Sequence, residues 1–160
     1  MRVDAMPLYL LADAARAAGV PVDRLSSWVS RGNITPAGPA RGTGDQHRFS
    51  KDDVLTIAIA YRVWKLGLDP SDAFAVAAAW LEDADGREPG ELYPDNKTLL
   101  VAIGDREAHI VRCDTVAPFD DQAMIVLDVA KVVAAVEPNL IERRVVPFTF
   151  EGKRRRRGAA

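Results

Sequence analysis

Between Leu10 and Arg31 the chain has room for two short helices and almost nothing between them. Leu10, Leu11, Ala14, Ala15 and Ala18 recur at helical spacing, and Gly19 is placed to end that helix. Pro21 suits the first turn of a second helix, where a missing N–H costs no hydrogen bond. Leu25, Trp28 and Val29 give this helix an apolar stripe at three- and four-residue spacing, and Gly32 stops it. The alanines of the first helix let the two backbones approach closely, and Gly19 allows the turn. That is helix-turn-helix geometry, with a second helix shaped to enter a major groove.

The next stretch begins Gly32-Asn33-Ile34-Thr35-Pro36, stays rich in Gly, Pro and Thr to Gly44, and returns through Gln46-His47-Arg48-Phe49-Ser50. It reads as a wing, with Arg48 on its second strand and Phe49 anchoring it in the core. Ser50 is a good N-cap for a third helix, with Asp52 and Asp53 in the favourable first turn. The buried stripe of that helix is expected to be Val54, Leu55, Ile57, Ala58, Tyr61 and Val63 or Trp64, ending at Gly67. Pro70 and Ser71 open a fourth helix through Phe74, Ala77 and Trp80. Trp28, Trp64 and Trp80 each sit among aliphatics at helical spacing and are expected in the core.

Beyond Leu81 the pattern changes. Residues 82–91 hold Glu82-Asp83-Ala84-Asp85-Gly86-Arg87-Glu88-Pro89-Gly90 and read as an acidic linker. Residues 98–103 and 108–113 are short β-rich runs separated by Gly104-Asp105-Arg106-Glu107, and so read as a hairpin. Gln122 to Leu127 suits another strand. From Asp128 the pattern Val129, Val132, Val133, Val136 turns helical, and Pro138 breaks it. A hairpin with one helix buries little alone, so residues 92–150 should pack on the first domain or on a second copy. The expected architecture is therefore mainly α, with a winged helix-turn-helix over residues 7–81. The linker then leads to a small α+β unit for dimerisation or an accessory role, and to a basic, unfolded tail over 151–160.

Net charge divides unevenly along the chain. The formal total is −2, yet residues 1–65 balance at +3, residues 66–150 at −9 and the last ten at +4. An acidic middle between basic ends suits a protein that offers only its ends to phosphate. At 48% hydrophobic and 28% charged residues the composition is that of a folded globular chain. No apolar run approaches the roughly 20 residues of a membrane span, and no signal peptide opens the chain, so a cytoplasmic location is expected. Cys113, the single cysteine, has no partner for an intramolecular disulfide and reads as a small buried hydrophobe.

Taken in order, Leu10-Leu11-Ala12-Asp13-Ala14-Ala15-Arg16-Ala17-Ala18-Gly19-Val20, Leu25, Arg31-Gly32-Asn33-Ile34-Thr35-Pro36 and His47-Arg48-Phe49-Ser50-Lys51-Asp52-Asp53-Val54 resemble the MerR-type winged-helix domain. Leu66-Gly67-Leu68 and Asp72-Ala73-Phe74 resemble that family's junction between third and fourth helices. The resemblance covers about half the chain. It implies a DNA-binding domain whose second helix reads the major groove and whose wing arginine, here Arg48, clamps phosphate. Where the family usually carries an arginine and paired tyrosines, this chain has Ser26, Ser27 and Trp28. A β-rich segment stands in place of the family's long dimerising coiled coil. The same small domain occurs in phage excisionases and terminase small subunits.

On this reading Arg24 and Ser26 or Ser27 face outward if Leu25 and Trp28 face in, which makes them groove contacts. Arg16, Arg31, Arg41, Arg48 and Lys51 would meet phosphates, and His47 phosphate or water. So few contacts predict weak binding by a monomer and hence a homodimer on paired half-sites of double-stranded DNA. His47, His109 and Cys113 lack the spacing of a structural metal site, and Asp120-Asp121 and Glu82-Asp83 read as solvated loops. With no phosphate-cradling loop and no nucleophile elbow, neither an enzyme nor a cofactor is expected. The expected function is transcriptional regulation. The alternatives are a phage-type DNA-transaction protein and a protein–protein adaptor on a winged-helix scaffold. The tail Lys153-Arg154-Arg155-Arg156-Arg157 is either a solubilising end or an arm along the DNA backbone. Whether a small-molecule effector binds is not written in the sequence.

Overall fold

The computed structural model describes residues 7–83, 86–95, 97–103, 106–112 and 124–140. Strand β1 (Tyr9–Leu10) leads into helix α1 (Leu11–Ala18), then α2 (Val22–Ser30), strand β2 (Arg48–Phe49), α3 (Lys51–Lys65) and α4 (Pro70–Ala78). A 3-10 turn over Ala79–Leu81 extends α4. Strands β3 (Thr98–Ile103), β4 (Glu107–Arg112) and β5 (Met124–Asp128) follow, then α5 (Val129–Val136) and a 3-10 turn at Glu137–Asn139. Cys113, Asp120-Asp121 and the tail at 153–157 lie outside the described residues. Among the described residues no helix is long and apolar enough to cross a membrane.

The local signals act where they stand in the chain. Gly19 caps α1 with φ 72°, a left-handed conformation that costs a β-carbon-bearing residue energy, and Val20 N–H then returns to Ala15 O at 2.9 Å. Pro21 sits one place earlier than expected, as the N-cap of α2. Ser50 caps α3 through a full capping box: its hydroxyl accepts from Asp53 N–H, and the Asp53 carboxylate accepts from Ser50 N–H. α4 reaches only Ala78 before tightening into the 3-10 turn that carries Trp80.

The expected one-faced stripe on α3 is too narrow. Val54 to Ala60 are buried without interruption, because α1, α4, α5 and β2 all pack around the helix. Tyr61 and Trp64, nearer its open end, are only half-buried, which corrects the expectation that Trp64 lies in the core. Trp28 and Trp80 are each 1% exposed.

The three later strands form one antiparallel sheet in the order β4-β3-β5, with Leu99 opposite both Val111 and Asp128. α5 packs on α3, and β4 packs on α4 and its 3-10 extension. One apolar cluster therefore runs from Ala14 and Phe49 through Trp80 to Leu100 and Val132. Of the two packing options left open above, the sheet takes the N-terminal helices. Arg106, just before β4, is tied to α4 as well, its Nε donating to Asp72 Oδ1 at 2.7 Å.

The segment after Trp80 is organised by one cation. Arg87 is only 5% exposed. Its Nη1 donates to the carbonyls of Trp80 at 3.0 Å and of Glu88 and Glu91 at 3.1 Å, while Nη2 donates to that of Glu82 at 2.6 Å. The guanidinium also lies 5.3 Å from the Trp80 ring centroid. Burial pushes its pKa down, yet arginine stays charged in proteins, so these carbonyl dipoles carry the solvation that water would otherwise supply. Removing the side chain strands buried carbonyls. Arg87→Ala should therefore cost about 3 kcal/mol in urea unfolding, with a smaller loss for Arg87→Lys. A loss below about 0.5 kcal/mol, ordinary for a surface site, would contradict this role.

Candidate nucleic-acid interface

Two groups of exposed polar side chains flank α3. The first is the outer face of α2. Leu25 and Trp28 are buried, which turns Arg24 and Ser26 to solvent, with Ser27 half-buried and Arg31 exposed at the helix end. Of the two serines it is Ser26 that faces fully outward. Asp23 shares this face, so its net positive charge is small.

The second group lies on the loop between Gly38 and Arg48. Gly38 and Arg48 exchange both backbone hydrogen bonds, at 2.9 and 2.8 Å, and close the loop at its base. A β-carbon on Gly38 would come within 3.1 Å of Arg48 Cβ, so the close approach favours glycine. On its other side β2 pairs with β1, placing Arg48 opposite Leu10 and Phe49 opposite Tyr9. Phe49 is 0% exposed, and Arg48 points to solvent.

Within the loop Asp45 is the organiser. Its Oδ2 accepts from Arg41 N–H at 3.0 Å and its Oδ1 from Gln46 N–H at 2.9 Å, while Arg48 Nη2 stands 3.4 Å from Oδ1. His47 Nδ1 accepts from Ala40 N–H at 3.1 Å, which leaves the proton on Nε2 in the neutral ring. Arg41, His47 and Arg48 are thereby gathered on one loop. Asp53 Oδ2 also accepts from Ala37 N–H at 2.9 Å, pinning the loop's approach to the first turn of α3.

The remaining candidates lie apart. Arg16, on the last turn of α1, pairs with Asp13. Lys51 turns toward the 3-10 turn after α5, where its Nζ meets Glu137 Oε1 at 2.5 Å. Arg24 stacks over Trp64, near the last turn of α3, whereas Arg48 lies just before the first. Fifteen helical residues separate those ends by about 20 Å, too far for both arginines to touch one phosphate.

Sequence reasoning missed Asp45, the Ala37 bond of Asp53, the Trp64 platform beneath Arg24 and the Glu137 partner of Lys51. The S-x-x-D spacing of Ser50 and Asp53 gave a readable signal for a capping box. The other contacts join residues with no diagnostic spacing. Among the described residues no three metal-ligating side chains come together.

Asp45 makes the loop pH-dependent. Its carboxyl is held below the usual range, first by the Arg41 N–H, next by the Gln46 N–H, with lesser help from the Arg48 and Arg41 charges. A depressed carboxyl stabilises the structure above its unfolded pKa, near 3.8, and loses that contribution as pH falls through the folded value. The amide resonances of Arg41 and Gln46 should therefore titrate together with a shared midpoint below 3.8. Separate midpoints, or a shared one at or above that value, would contradict the arrangement.

Residues 9–77 match the family model described as MerR HTH family regulatory protein. No curated protein is detectably similar to the chain. The matched span begins at β1, takes in both short helices and the loop closed by Gly38 and Arg48, and ends within α4. Over residues 9–77 the chain is similar to the MerR-type helix-turn-helix domain.

Proposed function

We propose that the protein is a sequence-specific DNA-binding transcriptional regulator that uses α2 to read a major groove and the 38–48 loop as a wing on the backbone. The observation that carries this reading is the outer face of α2. With Leu25 and Trp28 buried, Arg24, Ser26 and Arg31 stand exposed on the second helix of a domain whose family is a regulatory one. Arg24 can pair bidentately with a guanine edge, and the serines can bond either base. Arg41, His47 and Arg48 supply backbone contacts about 20 Å away along α3, where a groove-bound helix leaves flanking phosphates. Arg16 and Lys51 would add phosphate contacts at the cost of their pairs with Asp13 and Glu137.

One copy presents few cations, so useful affinity calls for a homodimer on paired half-sites, with the β4-β3-β5 sheet and α5 as the accessory unit that supports it. A duplex recovered from a randomised pool provides the test. The logarithm of its affinity should fall linearly with the logarithm of salt concentration, and Arg48→Ala should make the slope shallower by about one. The selected sites should be symmetric, and sedimentation should find two chains on each. Failure to recover any duplex at low salt would overturn the DNA-binding reading and favour a protein-binding role for the domain.

A further inference from the structure

We infer that Trp64 is a positioning residue for base recognition: its ring is the platform that holds the Arg24 guanidinium on the outer face of α2. This rests on the DNA-binding reading above and assigns a role to an α3 side chain outside the contact surface. Arg24 Cζ lies 4.5 Å from the Trp64 ring centroid, well inside cation–π range.

The platform is itself rooted in the core. Trp64 meets the buried Trp28 edge-on, with centroids 5.9 Å apart and planes at 78°, and stacks on Tyr61 at 5.6 Å and 22°. Trp28 in turn meets Phe74 edge-on at 5.2 Å. Arg24, alone of the groove and phosphate candidates, rests on an aromatic face. Arg16, Arg48 and Lys51 are each paired with a carboxylate instead. Among the described residues Arg24 has no carboxylate within ion-pair distance of this kind.

The physical consequence concerns entropy and edge geometry. A long side chain free on a helix surface loses rotamer freedom when it binds, and stacking beforehand removes part of that loss. A guanidinium held over a ring can keep N–H groups available for a planar acceptor pair such as guanine O6 and N7. Trp64 thus affects which base is read without itself reaching the DNA.

The test uses the full chain and single-base variants of the duplex that the wild-type protein recovers from a randomised pool. Trp64→Leu keeps apolar bulk and removes the π face, whereas Trp64→Phe keeps a ring. Discrimination at the one base pair whose preference Arg24→Ala abolishes should fall roughly tenfold in Trp64→Leu and largely return in Trp64→Phe. The salt slope should stay unchanged, since no phosphate contact is lost. Unaltered discrimination in Trp64→Leu, or an equal loss of affinity for every duplex, would overturn the proposal while leaving the DNA-binding reading intact.

The DNA-free protein offers a second readout that survives any folding defect in the leucine variant. Arg24 side-chain protons should be shifted upfield by the Trp64 ring current in the wild type, and less so in Trp64→Phe. Unshifted Arg24 protons in the wild type would remove the platform. If no duplex is recovered by the wild-type protein, the DNA-binding reading fails and the recognition role of Trp64 fails with it.

Discussion

α3 can exist only with neighbours on every side. Seven consecutive buried residues, Val54 to Ala60, leave no face of its middle for water, so α1, β2, α4 and α5 must close around it. The geometry of the candidate interface follows from this packing. α1 and β2 dock on α3, and α2 reaches it through Trp28, whose ring meets those of Tyr61 and Trp64. The positions of Arg24 and Arg48 relative to each other are therefore set by a rigid rod, not by a flexible loop.

The later part of the chain shares that rod. α5 packs on α3, and the sheet follows through β4 and the 3-10 turn bearing Trp80. In the stretch that looks like a solvated connector in the sequence, Glu82, Glu88 and Glu91 turn their carbonyls, with that of Trp80, onto the Arg87 guanidinium. A charge buried so deeply holds backbone in place more firmly than a surface ion pair can. The Lys51–Glu137 pair, about half exposed on both sides, is a far weaker tie between the two parts.

What could be read in the sequence was local. Gly19, Pro21, Ser50, Gly67 and Pro70 punctuate the helices at or within one residue of where they act, because capping and turn chemistry depend on near neighbours. The inward turn of Leu25 and Trp28 also followed from spacing, and with it the outward face of α2. The strand run at 98–103 falls on β3, and 108–112 of the second run fall on β4, which starts one residue earlier. What was hidden was tertiary. Nothing near Trp64 shows that Arg24, forty residues earlier, covers its ring, and nothing near Lys51 announces Glu137. The linker-like composition of 82–91 concealed a buried arginine, since arginine is ordinarily a solvated residue.

The central claim is that α2 and the 38–48 loop together form a surface for duplex DNA, and the most direct measurement is the footprint of bound duplex on backbone amides. Titrating the labelled full chain with its selected duplex should perturb amides of Val22–Ser30 and of residues 38–48 in one step, with β3 and β5 unmoved. Perturbations centred on the β4-β3-β5 sheet, with α2 silent, would contradict the account.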